Sequence, residues 1–219
     1  MMWPFKKKKL REMKRAEEKA TTYKILSAVC AVLPEEFNYL SRQLEDGVIV
    51  VVDEQFFYKA GWRGFFYNPS ISGKYENRKC KEFEIGNVTI SDFNGEKHPI
   101  SITVDYGLFA GFLLDVEDLT SVDTSTIDVA GFQITSKENP LEKFFTKAEL
   151  KYLNPSDLYE VELDDKIYYH LFDLEDGDFI GMDAEKNVYE ITHDPYEIVL
   201  IKDKLLPFLK KWEADGRSE

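Results

Sequence analysis

Two cysteines in 219 residues, Cys30 and Cys80, are too few for a disulfide framework, and neither belongs to a Cys-x-x-Cys pair. That argues against a stapled secreted scaffold and against a thiolate zinc site, and it fits a reducing compartment. Histidine is almost as scarce. His98, His170 and His193 are widely separated, none with a second ligand at i+2 or i+4 in a metal-binding frame, so no metal or cofactor is expected. Phosphate-binding glycine loops, dinucleotide fingerprints and nucleophile elbows are all missing, which leaves catalysis without positive support. Long apolar runs are missing too: the longest lies within Ile25–Leu33, too short to span a bilayer. The basic stretch ahead of it is too long for a signal-peptide n-region and carries Glu12, Glu17 and Glu18, while Val29 stands where a lipobox before Cys30 needs a small residue. The expected location is the cytoplasm.

What the chain does have is a folded protein's composition, 43% apolar and 14% aromatic, and a divided charge. The net charge of −13 splits into +6 over residues 1–24 and −19 over the rest, where 38 acidic side chains face 19 basic ones. Affinity for nucleic acid comes largely from cations that displace counterions, so an acidic body is not expected to bind it. The N-terminal arm, with Trp3, Phe5 and Lys6–Lys9, offers at most a weak contact to an anionic membrane, each Lys there contributing ~1 kcal/mol.

Periodicity predicts an α+β fold: N-terminal helices, a central antiparallel β-rich block, and a C-terminal β-meander closed by a helix. Three segments follow: a basic helical segment over 1–45, the β-rich block over 46–138, and a C-terminal α+β module over 139–219. The helical spacing of Leu10, Met13, Ala20, Leu26, Val29 and Leu33 predicts a helix over Lys6–Leu33, polar and projecting first, apolar and docking afterwards. Leu33-Pro34-Glu35-Glu36 restarts a helix to about Leu44, with proline at the first helical position. Val48–Val52 is an unbroken β-branched run, which predicts a strand covered on both faces. Phe56–Tyr58 and Trp62–Tyr67 read as a hairpin about Ala60-Gly61, and Phe83–Ser91 and Ile100–Tyr106 as another about Asn94-Gly95. Leu108–Asp115 and Ile127–Ile134 complete about six strands, with Glu117–Ser125 as a polar loop. Asn139-Pro140 predicts a short helix over Leu141–Tyr152. Strands then follow at Tyr159–Leu163, Lys166–Leu171, Phe179–Met182 and Val188–Thr192. His193-Asp194-Pro195 is expected to break the meander before a strand at Glu197–Ile201, with Asp203 capping a helix through Trp212.

The acidic cluster Asp173, Glu175, Asp176, Asp178 and Asp183 lacks the spacing of a calcium loop: from Asp173, Gly177 falls at position 5 and Ala184 at position 12. It reads as a hairpin turn. Asp157, Asp164, Asp165 and Lys166 echo the acids and lysine of restriction-type nucleases only faintly, since Asp164-Asp165 sits where a hairpin must turn. His193 and Asp194 could form an acid–base pair only if strand neighbours shared a face, which they do not. The aromatics Phe57, Trp62 and Phe65 are candidates for sheet core or for a protein or ligand contact.

Asp176-Gly-Asp-Phe-Ile-Gly-Met-Asp183, Val188-Tyr-Glu-Ile-Thr-His-Asp194 and Leu205-Leu-Pro-Phe-Leu209 together resemble the C-terminal part of the SUKH superfamily, and Leu33-Pro34-Glu35-Glu36-Phe37 is similar to that family's helix opening. The shared residues are turn and packing residues over some 60–70 positions, and the Gly47–Ile134 block between the two echoes exceeds the family's spacing. The resemblance implies a non-catalytic binding domain, as in bacterial immunity proteins and yeast cell-wall regulators. The expected function is a protein-binding module, an immunity protein neutralising a basic toxin domain, with Glu175, Asp176, Asp178 and Asp183 as contact candidates. The other expectation is a small-molecule or structural β-rich protein whose aromatics enclose a ligand.

Overall fold

The computed structural model describes residues 4–54, 59–136 and 138–216, with side chains from Met13 onward, Glu54 excepted. Trp3 and Phe57, and the side chains of Phe5 and Lys6–Lys9, lie outside what is described. The chain is α+β, and it forms two compact units: Met1–Glu76 with Glu82–Ser136, and Asn77–Lys81 with Lys137–Glu219.

The first unit opens with α1 (Pro4–Cys30) and α2 (Asn38–Glu45), joined by a 3-10 turn at Glu35–Phe37. From Met13 to Glu17 α1 is exposed, whereas Thr22, Ile25, Leu26 and Val29, at helical spacing, are fully buried. The helical segment therefore shares one core with the strands that follow. These are β1 (Ile49–Glu54), β2 (Trp62–Tyr67), then, after the one-turn helix α3 (Pro69–Ser72), β3 (Phe83–Asp92), β4 (Lys97–Asp105), β5 (Leu108–Leu113), β6 (Val122–Asp128) and β7 (Gln133–Ser136). Their antiparallel order is β1-β2-β5-β4-β3-β6, with β7 also on β3. On β4 the alternation is strict: Ile100, Ile102 and Val104 are fully buried, while Ser101 and Thr103 between them are not. Each of those side chains contributes about 1.5–3 kcal/mol when fully buried.

Several expectations change. The Val48–Val52 run is a sheet edge, not a strand covered on both faces: a bulge between Ile49 and Val51 leaves Val50 and Val51 exposed and turns Val52 inward. The strand expected over Ile127–Ile134 is two, because Asp128 accepts the Ala130 N–H (2.9 Å) and turns the chain through Val129–Phe132. The polar loop before it shortens in the same way. Asp118 caps a 3-10 turn at Leu119–Ser121, and β6 begins at Val122. Of the expected Phe56–Tyr58/Trp62–Tyr67 hairpin, Phe56–Tyr58 lies outside the described residues, and β2 pairs with β1 and β5.

The second unit is a five-stranded antiparallel meander in the order β12-β11-β10-β9-β8: β8 (Glu160–Leu163), β9 (Lys166–Asp173), β10 (Phe179–Met182), β11 (Asn187–His193) and β12 (Tyr196–Lys204). It is followed by α4 (Leu205–Ala214). The segment expected as a helix over Leu141–Tyr152 is a 3-10 turn at Pro140–Phe144 and further turns. Asn139 and Glu142 form a capping box at its start, and Glu149 caps Thr146 a few residues on, so two local caps divide the run. His193-Asp194-Pro195 does not break the meander. His193 pairs with Tyr196, which makes Asp194-Pro195 the turn of the β11–β12 hairpin. Asp203 belongs to β12 and does not cap α4, which Lys204 precedes.

Candidate functional site: an acid-rimmed cleft beside the C-terminal helix

Along α4, Leu205, Phe208, Leu209 and Trp212 recur at i, i+3, i+4 and i+7, so one stripe of the helix is apolar and buried. Antiparallel register sets the facing rows of the sheet: Met182, Val188 and Ile201 in one, Ile180, Glu190 and Val199 in the next. Met182 and Val188 are buried with the helix stripe, and Trp212 stacks on Phe172 at 5.1 Å between centroids and against Phe208 at 5.4 Å. The second row is incompletely covered. Ile180 is buried, but Glu190 and Val199 emerge into solvent.

The result is a cleft of about 300 Å³ with Leu174, Ile180, Ile201, Phe208 and Trp212 as its walls. Its polar lining is Glu190 on β11, Asp203 at the end of β12, and Lys211 and Asp215 at the end of α4, all exposed. Three carboxylates against one ammonium leave the rim net negative. Such a cleft suits an aliphatic stem ending in a cation, because a lysine or arginine can lay its methylenes on an apolar wall while its head stays among acids. Its volume lies at the lower end of the roughly 300–1,000 Å³ usual for small-ligand pockets.

The four acids singled out from the sequence lie on the adjacent turns. Glu175 and Asp176 are exposed in the 3-10 turn Glu175–Gly177, where Asp176 takes a left-handed φ of 58°. Asp178 is engaged: its Oδ1 accepts the His193 N–H at 3.0 Å and lies 3.0 Å from His193 Nδ1. Gly177 must be glycine beneath that ring, since at φ 83° an added Cβ would lie 2.9 Å from His193 Cε1. Asp183 is also committed to its turn. It accepts from the Asn187 N–H and side-chain amide and from Tyr189 Oη, at 2.8–2.9 Å. Burial pushes its carboxyl up, but these bonds outweigh that and hold it below the ordinary value, while the same bond pushes the Tyr189 phenol up to about 12. His193 thus pairs with Asp178 and not with Asp194.

His170 is buried, with Nδ1 3.0 Å from the Asp157 carbonyl and Nε2 3.1 Å from Asp173 Oδ1, between the rings of Tyr159 (4.4 Å) and Phe179 (5.4 Å). Asp164 and Asp165 form the β8–β9 turn, both at positive φ, and Asp164 accepts from Tyr196 Oη at 2.9 Å.

In the first unit, Phe65 is buried and stacked on Phe112, with ring centroids 6.1 Å apart, and Trp62 is half-buried against Gly111. That unit also has a larger hollow, about 600 Å³, between α1, Arg63 and Glu117–Thr120. Arg63 is buried there, donating from Nη1 to the Gly61 and Leu114 carbonyls (2.9 and 3.0 Å) and from Nε to Glu18 (3.4 Å). Its guanidinium staples backbone together, and the hollow is lined mainly by charges of both signs.

The cleft residues Glu190, Asp203 and Asp215 carry no local sequence signal, because each sits on a different element and only the β11–β12 register and the length of α4 bring them together. Comparison with protein-family models, with curated proteins and with solved structures finds no match. Among the described residues, no helix is long and apolar enough to cross a membrane.

Proposed function

We propose that this chain is a cytoplasmic, non-enzymatic protein-binding module that receives a basic segment of a partner protein on its second unit. The observation that supports it most directly is the cleft beside α4, with aromatic walls and Glu190, Asp203 and Asp215 around its mouth. Exposed Glu175 and Asp176 extend the negative surface from the neighbouring turn. A net −19 beyond residue 24 adds long-range attraction, which raises association rates with a basic partner and rejects acidic ones. In its specific form the partner is a basic toxin domain and the chain its immunity protein. That form rests on the SUKH resemblance of the C-terminal segments, and it calls for no cofactor and no nucleic acid.

The test is affinity capture of the full chain from its native cells at low and high salt, followed by titration of the recovered partner against a Glu190→Gln, Asp203→Asn, Asp215→Asn triple variant. A stoichiometric basic protein released by salt, and bound at least 10-fold more weakly by the variant, is the expected outcome. A partner that binds the variant as tightly as the parent overturns the cleft as the contact. Toxicity of the recovered partner, suppressed by co-expression of the chain, separates the immunity reading from other protein binding.

A further inference from the structure

The β3–β4 hairpin ends in a set of polar groups apart from the cleft, one of which the fold leaves without a partner among the described residues. Along the core-facing side of β3 run Ile85, Val88 and Ile90, and on β4 Ile102 lies opposite Ile85 and Ile100 opposite Val88, all five fully buried. Strand alternation continues both rows by one more residue toward the turn: Asp92 on β3 and His98 on β4, the latter directly opposite Ile90. A carboxylate and an imidazole therefore occupy the open end of an apolar row, with only 14% and 17% of their side chains exposed. Asp92 is held by its own turn. Its Oδ1 accepts the backbone N–H groups of Asn94 (2.9 Å) and Glu96 (2.8 Å), and Asn94 Nδ2 reaches Oδ2 at 3.3 Å. Asp92 Oδ2 lies 3.9 Å from His98 Nε2, beyond hydrogen-bond distance. That ring nitrogen is shielded from solvent and, among the described residues, has no hydrogen-bond partner. Buried polar atoms are almost always satisfied, and an exception asks for a missing group. The Glu96 carboxylate, from the turn itself, completes a cluster in which one ligand atom from each of the three residues lies within 4.8 Å of the others.

We propose that Asp92, Glu96 and His98 bind one divalent first-row transition ion, with Zn²⁺ as the best match, through the two carboxylates and His98 Nε2. One imidazole nitrogen and two carboxylate oxygens form a donor set that suits such ions better than Ca²⁺ or Mg²⁺, which take oxygen ligands throughout. Two ligands at ~2.1 Å from a tetrahedral ion stand roughly 3.4 Å apart, so the 3.9 Å gap closes with a small side-chain rotation. Exposed Glu96 has the freedom to follow. Three protein ligands leave a fourth position for water or for a donor from a partner. The bound ion satisfies the orphaned nitrogen and ties the hairpin turn to the end of the core row.

The test is isothermal titration of chelator-stripped full-length protein with Zn²⁺, paired with Co²⁺ absorption to report ligand type. One ion per chain with micromolar or tighter affinity is expected. Because Glu96 is exposed and supports the turn through its backbone, Glu96→Gln should stay folded yet weaken binding by at least the roughly 10–100-fold that follows loss of even an outer-shell partner. His98→Ala should abolish it, and His193→Ala should leave it unchanged. No saturable binding by the parent chain, or binding undiminished by both Glu96→Gln and His98→Ala, overturns the proposal.

Discussion

Gln43 is fully buried on α2 and clamps the β4–β5 turn: its Nε2 donates to the Gly107 carbonyl at 2.7 Å, and its Oε1 accepts the Phe109 N–H at 3.3 Å. Gln43→Leu keeps an apolar side chain of similar bulk and removes both bonds, stranding a backbone acceptor and a backbone donor. A buried unsatisfied polar group costs about 1–3 kcal/mol, and the added apolar contact offsets part of that, so the expected loss is about 2–4 kcal/mol. For a cooperative unit of this size the melting midpoint should fall by roughly 6–16 °C. Gln43→Glu separates the two bonds. It can still accept from Phe109, but it leaves Gly107 unmatched and buries a charge, so it should be at least as damaging. Calorimetry gives the magnitude, and amide exchange at Phe109 should accelerate in the Leu variant. A loss below 1 kcal/mol, with Phe109 equally protected, would refute the reasoning.

Other perturbations test separate parts of the structure. Asp164 and Asp165 both hold positive φ in a two-residue hairpin turn, so replacing them with Asn-Gly should raise stability by roughly 0.5–1 kcal/mol in urea unfolding. The Glu149 carboxyl is pushed up by burial, but Lys186 and the Thr146 N–H and hydroxyl hold it net below its ordinary 4.5. Its contribution is therefore complete above pH 4.5 and is lost as pH falls through the lower folded value; Glu149→Gln should be less stable at neutral pH and converge with the parent below 4.5. Burial pushes the Cys30 thiol up to about 11, so a thiol reagent at pH 8 should modify Cys80 in the native protein and reach Cys30 only on unfolding. Gly177→Ala, strained at positive φ and driven into His193, should cost about 1–2 kcal/mol and displace that ring's NMR signals.

Turns were the most legible part of the chain because their chemistry is local. Asn94-Gly95 and Asp164-Asp165 mark hairpins in one dimension as they do in three, and Asn139 announces the cap that the structure places there. What failed depends on neighbours distant in sequence. Val48–Val52 reads as a central strand because β-branched residues suit any strand, and its edge position is set by a sheet order that no local window contains. The apolar spacing of Leu141–Tyr152 suggests a helix until Thr146 and Glu149 divide it. Asp92, Glu96 and His98 span seven residues, yet their convergence needs the hairpin closed in one register, since a one-residue slip would turn a side chain to the other face. The acids of the cleft are harder still, because Glu190, Asp203 and Asp215 meet only through a strand pairing and a helix length together.

Because Asn77–Lys81 belongs to the second unit while the residues on either side belong to the first, the chain passes between the units three times. The second unit is therefore not a contiguous stretch. Lys79 pairs with Glu213, Lys81 with Glu142 at 2.5 Å, and the Cys80 carbonyl accepts from Asn154 Nδ2 at 3.5 Å. During synthesis this five-residue piece emerges well before any of its partners, and Glu213 follows it by more than a hundred residues. A fragment cut at the 136/137 boundary would carry Glu142 and Glu213 without their lysines. To be whole, a separately expressed second unit would need the 77–81 piece supplied by circular permutation or as a peptide in trans.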